Sequence, residues 1–370
     1  MRNPRPLPSL IRVWRTNVVL ADFLAAGTVA LVTAVLALVV EDVLPAKDTV
    51  TFNPWRWLAL AGALLLLGTT VRHRNTAYRN TGTLFYVRTL DFKMRDWHEE
   101  ALNLARGHRM SLRSVTPWVD LSPAENGVVD LVGTCAAISA SLNTLINTDR
   151  DDTGYAVAPN MLWPIALAVG FGMPTVSGLQ LLELDGPGAA SGGESLEVTW
   201  VLADAPPGPG VVERTLTTTR HVIDNPAAGA ARVGLILAFT KHAADMDLLA
   251  TFGPFGVSEY YLVRACDTHP DLDNLTAVRY DADRLTRLAQ VLPHELARIK
   301  TEIGDRELVV TTALPKTLTL ALGWGLSQVS CAFFPGTHLA LFNGQGKPFL
   351  PVRVHSSQPP HNPTTAPTTE

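Results

Sequence analysis

The chain has 370 residues, 34 acidic and 30 basic side chains, a formal net charge of −4, and 47% apolar residues. Such a charge balance gives no general grip on long nucleic acid, which relies on clustered cations, and the length fits two or three domains with a core in each. The three cysteines, Cys135, Cys266 and Cys331, are widely spaced within apolar runs, which predicts buried reduced thiols and not a disulfide set or a zinc site.

Residues 1–17 carry Arg2, Arg5, Arg12 and Arg15. Residues 18–40 are almost wholly apolar, long enough at about 1.5 Å per residue to cover the ~30 Å hydrocarbon core of a bilayer, and Glu41 and Asp42 end the run. After a short polar loop a second apolar run covers 55–71 and closes on Arg72, His73 and Arg74, with Trp55 and Trp57 placed at headgroup level. Length and the immediate second span argue against a signal peptide. The pattern predicts a two-helix transmembrane hairpin over 18–72. Arginines outside both spans put both termini, and everything after the hairpin, in the cytoplasm. Asp22, one turn inside the first span, is a functional candidate or a carboxylate that reaches the interface. Ala26, Ala30, Ala34 and Ala37 form a small-residue stripe, and Ala59, Gly62 and Ala63 offer a partner surface. This pattern serves close packing in lipid, either within one hairpin or between chains.

Beyond the membrane, strands are predicted over 83–90 and 112–121, helices over 95–106 and 128–146, and then a unit containing Pro159, Trp163, Gly170-Phe171-Gly172 and a strand near 179–184. Glycine, alanine and serine over 186–193 mark a linker, and 195–220 reads as an inserted hairpin turning through Pro206-Pro207-Gly208-Pro209-Gly210. The second half repeats the first: strand 233–240, helix near 243–251, strand 260–266, and a capped amphipathic helix 281–303. A closing unit follows from Leu308 to Phe342. Residues 167–177 align without a gap on 320–330, so Gly170 falls on Gly323 and Gly172 on Gly325. The fold class is therefore α/β, a duplicated Rossmann-like pair of lobes over 75–187 and 188–356 behind the hairpin. A Pro/Thr/Ser-rich tail over 357–370 is expected to be disordered.

Standard catalytic signatures fail. His294-Glu295 has Arg298 where a His-Glu-x-x-His zinc site needs its second histidine, and no nucleophile elbow or phosphate-cradling lysine loop occurs. No catalytic group, resident metal or cofactor is expected. The two Gly-x-Gly pairs lie inside helices and are expected to permit close packing between helix and sheet or between domains. In open parallel sheets, ligands sit beyond the carboxyl ends of strands, near helix N-termini that attract anions. Those places hold Thr89, Asp91, Lys93, Pro159, Asn160, Trp163, Thr240, Lys241, His242, Thr312, Pro315, Lys316 and Thr317. Hydroxyls, an amide, cations and an indole together suit phosphates and a stacked base.

The strand, proline, helix, Gly-x-Gly and closing strand of Leu308 to Phe342, running on through Pro348 to Val352, resemble the end of a SAVED domain, the two-lobed relative of CARF domains. Ala313-Leu314-Pro315 and Gly323 carry the likeness, which extends over residues 83–354, whereas the Lys316-Thr317 helix start and Trp324 depart from it. The resemblance implies a CARF-like pair of lobes that senses a cyclic di- or trinucleotide in CBASS-type bacterial antiphage signalling. It further implies ligand-induced homo-oligomers and a two-span effector that damages the lipid bilayer. Two other functions fit the same residues: an anchored enzyme that cleaves cyclic oligonucleotides, with His242 as its base, and a scaffold without catalysis.

Overall fold

A computed structural model describes residues 18–43, 54–79, 82–89, 96–107, 110–149, 154–174, 179–184, 198–201, 215–224, 226, 229–240, 252–266, 280–329, 331–342 and 349–364. The chain divides into two compact units, one of Met1–Leu84, Leu102–Leu112 and Arg150–Tyr155, the other of Phe85–Ala101, Arg113–Asp149 and Ala156–Glu370.

In the first unit, helices α1 (Val18–Val43) and α2 (Pro54–Arg79) pair along their length. Each contains 22 residues long and apolar enough to cross a membrane, about 33 Å of helix. Apolar side chains cover the outside, among them Phe23, Leu31, Leu58 and Leu65, as a lipid-facing helix requires. Besides Leu20 and Asp22 near its start, the buried or half-buried described positions of α1 are Ala21, Leu24, Ala25, Thr28, Val32, Val35 and Val39. Their 3.5-residue period is that of a left-handed coiled-coil seam. Thr28 and Thr70 meet across the seam, Oγ1 to Oγ1, at 3.0 Å. Each also lies near a carbonyl of its own helix; with one proton per hydroxyl, one threonine donates across and the other donates back. At the end of the pair, Arg74 Nε donates to Asp22 Oδ1 at 2.6 Å.

The small-residue stripe is not this seam. Ala26, Ala30, Ala34 and Ala37 are exposed, as are Ala59 and Gly62, and a Cβ added at Gly62 would meet nothing within 4 Å. Only Ala63 of that set is buried. Within one hairpin the branched aliphatics and threonines make the contact, because their spacing follows the supercoil and that of the alanines does not.

The remaining architecture is mixed α/β with two Rossmann-like sheets. The first sheet contains β1 (Thr83–Arg88), β2 (Ser111–Val115), β4 (Tyr155–Asn160), β5 (Gln180–Glu183) and β6 (Val198–Val201) in the order β2-β1-β4-β5-β6. The second contains β3 (Val129–Asp130), β7 (Leu216–Val222), β8 (Arg232–Ala238), β9 (Val257–Ala265), β10 (Leu308–Ala313), β11 (Thr337–Leu341) and β12 (Leu350–Arg353) in the order β3-β12-β11-β10-β8-β9-β7. The helices are α3 (His98–Gly107), α4 (Val132–Asn147), α5 (Trp163–Phe171), α6 (Ala282–Ile303) and α7 (Lys316–Gln328).

The duplication is topological. Reading β9-β8-β10-β11-β12 against β2-β1-β4-β5-β6 gives the same order of elements in both halves, with an antiparallel strand last in each; β6 is a sheet edge, whereas β12 is flanked on its other side by β3. β4 pairs parallel with β5, and β10 parallel with both β8 and β11. Every residue of β10 is buried, so its β-branched run fills both faces of a covered parallel sheet. Beneath it, Ile236, Phe252, Phe255, Leu262 and Val309 form a core.

Helices α5 and α7 are buried almost all round and pack on each other at the paired glycines. A Cβ on Gly170 would lie 2.0 Å from the Leu320 carbonyl oxygen, and one on Gly323 would lie 2.0 Å from that of Leu167. The contact is self-complementary in the duplicated numbering, since Leu167 aligns with Leu320. The second glycine of each pair faces the long helix of its own half: Gly172 meets Ser139 of α4, and Gly325 meets Pro293 of α6. Asp281 caps α6, accepting from the Arg284 N–H at 2.7 Å.

Several expectations are corrected. Residues 195–220 do not form an inserted hairpin: β6 pairs antiparallel with β5 and β7 with β9, in different sheets. The strand expected over 112–121 ends at Val115, and residues Val129–Asp130, read as helix, add a parallel strand beside β12. The tail is not disordered from 357. Gln358 is buried, its Oε1 accepting from the Val354 N–H at 2.7 Å and the His355 N–H at 3.0 Å, and the chain is described to residue 364. Cys135 is buried, but Cys331 is half-buried and Cys266 exposed. The helix expected near 243–251 and the turn at 205–210 lie outside the described residues.

Candidate functional site

Where the carboxyl end of β4 faces the first turn of α7, two of the predicted residues, Asn160 and Lys316, meet. β4 ends on Asn160, which is 1% exposed. Its Nδ2 donates to Tyr86 Oη at 3.0 Å, and its Oδ1 accepts from Lys316 Nζ at 2.6 Å. An ammonium only donates, so the amide is oriented with its oxygen toward Lys316. Tyr86 Oη also accepts from the Trp97 N–H at 3.1 Å, which places the Trp97 ring 5.9 Å from Lys316 Nζ, within the reach of a cation–π contact.

Lys316 opens α7 from partly buried surroundings. Burial pushes its pKa below the ordinary lysine value, and the Glu183 carboxylate opposes the shift. One hydrogen bond to a neutral amide leaves donors of this ammonium free for an anionic or carbonyl ligand. Glu183, in β5, accepts from both the backbone N–H (2.9 Å) and the hydroxyl of Thr317. Pro315 in the N-cap position has no side chain able to cap, so the carboxylate from the neighbouring strand satisfies the positive end of the helix.

Other predicted residues are placed as follows. Thr312 lies in β10, and among the described residues its hydroxyl, the Thr311 hydroxyl and the indole N–H of Trp163 are buried without a hydrogen-bond partner. Trp163 opens α5, whose N-cap Leu162 also gives no side-chain cap. Thr89 is buried and its N–H donates to the Asn160 carbonyl at 3.2 Å. Thr240 donates through its N–H to Ala313 at 3.0 Å. Pro159 is buried within β4, and the Pro315 carbonyl receives the Thr319 N–H at 3.0 Å. Thr317 is occupied by Glu183, so its hydroxyl is a helix-capping group here. Asp91, Lys93, Lys241 and His242 lie outside the described residues.

Sequence reasoning missed Tyr86, Trp97 and Glu183. Tyr86 stands in an apolar strand, where it reads as core; only the amide of Asn160, 74 residues away, makes it part of the site.

No protein-family model and no curated protein matches the chain. Its neighbours among solved structures are Cap4 SAVED/CARF-domain containing receptors. That of Acinetobacter baumannii with the cyclic trinucleotide 2'3'3'-cAAA has 10% identity and a TM-score of 0.39, over 80% of this chain and 61% of the receptor. The same receptor with 3'3'3'-cAAA gives 10% and 0.40 over the same shares. The Moraxella osloensis receptor gives 10% and 0.37, over 80% of this chain and 60% of that one. The chain thus spans about three fifths of the length of the receptors it is similar to.

Proposed function

We propose that this chain is a membrane-anchored receptor for a cyclic oligonucleotide, with two CARF-like lobes as the sensor and the α1–α2 hairpin as the effector, acting in CBASS-type antiphage defence. The observation that carries the proposal is Lys316, a desolvated ammonium with spare donors held by Asn160 over the Trp97 ring. That combination offers a phosphate its counter-charge and a base an aromatic face. The unpartnered hydroxyl of Thr312 and the indole N–H of Trp163 are further candidate donors, because a buried polar group without a partner costs about 1–3 kcal/mol until one arrives. The sequence likeness to SAVED domains supports the same ligand class. No residue here is assigned a bond-breaking role, so the reading is binding without turnover.

The effector step follows from valency. Ligand binding assembles the lobes, and assembly raises the local concentration of hairpins, whose exposed Ala26, Ala30, Ala34 and Ala37 face is free to meet a neighbouring chain. Both termini then lie on the cytoplasmic side and the bilayer is breached from within.

The test uses the full chain in nanodiscs with a panel of cyclic di- and trinucleotides, following melting temperature and analysing the nucleotide afterwards. One panel member is expected to raise the melting temperature and to be recovered intact. Lys316→Met is expected to weaken its binding roughly 10- to 150-fold, the equivalent of one charged hydrogen bond, and to flatten the salt dependence. A panel with no shift on folded protein sinks the receptor reading. Recovery of linear product shows an enzyme instead, and unchanged affinity in Lys316→Met removes that residue from the site.

A further inference from the structure

Glu307, His338 and His361 come together at the opposite end of β10 from Lys316, six residues and about 20 Å along the strand from Ala313. They bring three ligand atoms within 4.8 Å of one another. Glu307 immediately precedes β10. His338 lies on the adjacent β11, where it is paired with Val309. His361 belongs to the C-terminal segment, which is pinned on both sides: the Pro360 carbonyl accepts from Asn126 Nδ2 at 3.0 Å and that of Pro363 from Arg232 Nη1 at 2.6 Å.

We propose that these three residues hold a zinc-class divalent ion that staples the C-terminal segment to the sheet. His338 Nε2 is 3.4 Å from Glu307 Oε2, and His361 Nε2 is 3.2 Å from Glu307 Oε1. Metal–ligand bonds of about 2.0–2.1 Å in a tetrahedron place neighbouring ligand atoms about 3.3 Å apart, so His361 Nε2 and Glu307 Oε1 already stand at a tetrahedral edge, while His338 Nε2 has that spacing to the other carboxylate oxygen, Oε2. His338 is 4% exposed, and its Nε2, although 3.4 Å from Glu307 Oε2, makes no well-formed hydrogen bond among the described residues. A metal ion would give that buried nitrogen a full bond. Two imidazoles and a carboxylate select zinc, cobalt or nickel over calcium and magnesium, and three protein ligands leave a fourth position for water. Arg232 Nε donates to Glu307 Oε2 at 2.6 Å, the outer contact that orients a ligating carboxylate. Its positive charge works against a cation, and this tunes the affinity downward while leaving Oε1 available.

The test loads untagged full-length chain in detergent with Co²⁺ after chelation. One Co²⁺ per chain is expected to survive gel filtration, with the visible bands of a four-coordinate site. His361→Ala, at a half-exposed position outside the core, is expected to lower Co²⁺ affinity by about tenfold or more and to lose the bands, while its metal-free melting temperature stays unchanged. Glu307→Gln is expected to do the same to the bands. No retained Co²⁺ on folded wild-type chain, or retention unaltered in both variants, overturns the proposal and leaves a hydrogen-bonded triad.

Discussion

Alanine at Gly323 tests the crossing of α5 and α7. The new methyl would stand 2.0 Å from the Leu167 carbonyl oxygen and 2.9 Å from the Phe171 nitrogen. Both are backbone atoms, so no rotamer change relieves the clash. Ordinary contact begins near 3.4 Å, and the helices must open by about 1.4 Å, a gap that forfeits more than half of the dispersion attraction of the atoms it parts. Overpacking of this kind costs about 3 kcal/mol, against which alanine returns about 1 kcal/mol of helix propensity, leaving about 2 kcal/mol of destabilisation. Gly170→Ala meets Leu320 in the mirror arrangement, 2.0 Å again, and is expected to cost the same. The double variant decides the argument: once one methyl has parted the helices the second has room, so the pair should cost about 1–2 kcal/mol where independent sites would cost about 4. Urea unfolding of the full chain in detergent, followed by circular dichroism, measures all three. Additive losses, or alanine tolerated at either position, would refute a shared crossing point.

Two further outcomes are expected. Burial raises the pKa of Glu259, but hydrogen bonds from Arg306 and Arg220 outweigh it and hold the carboxylate below its ordinary range. A depressed folded-state pKa gives stability that is present above the unfolded value and lost as the pH falls through the folded one. Arg306→Met should therefore cost about 1–2 kcal/mol at pH 7, with the gap to wild type closing below about pH 4.5 in urea titrations; a gap constant to pH 3 would remove the ion pair as its cause. In the hairpin, Thr28→Cys with Thr70→Cys should oxidise to an intrachain disulfide, whereas Ala30→Cys, on the exposed face, should cross-link only between chains and only after ligand is added. Cys266→Ser serves as background because Cys266 is exposed. Intrachain linkage failing for the threonine pair would show that the seam is elsewhere.

The parts of the fold legible in sequence are those whose determinants are local. The run of β10, the cap and periodicity of α6, and the repeated Gly-x-Gly pairs are each written within a few residues, and the ungapped alignment of 167–177 on 320–330 marks the glycines as close-packing positions, although that the two helices meet each other is seen only in the fold. Strand pairing is not local. Residues 198–201 and 216–222 alternate as a hairpin would, yet each found an existing sheet edge. The site divides the same way: Asn160, Trp163, Thr312 and Lys316 follow from strand ends, but Tyr86 and Glu183 act through partners 74 and 134 residues away. The C-terminal segment was misread because proline and threonine weaken its hydrophobic signal, while Gln358 holds it by three hydrogen bonds that composition does not reveal.

The glycine crossing also bears on how a bound ligand would reach both halves. Lys316 and Gly323 are seven residues apart on α7, about 10 Å of helix, and Trp163 and Gly170 are separated by the same interval on α5. Each helix thus begins at the candidate site and meets the other at backbone contact one to two turns later. Interiors packed at this density do not absorb a displacement by compression. A ligand that draws Lys316 away from Asn160 would have to move α7 against α5 as a body, and because the contact is the same surface from both sides, the first half must move with it. Under the proposed function both lobes would respond together, and the variant that loosens the crossing, Gly323→Ala, should keep nucleotide binding within a few-fold while losing the proposed ligand-driven assembly.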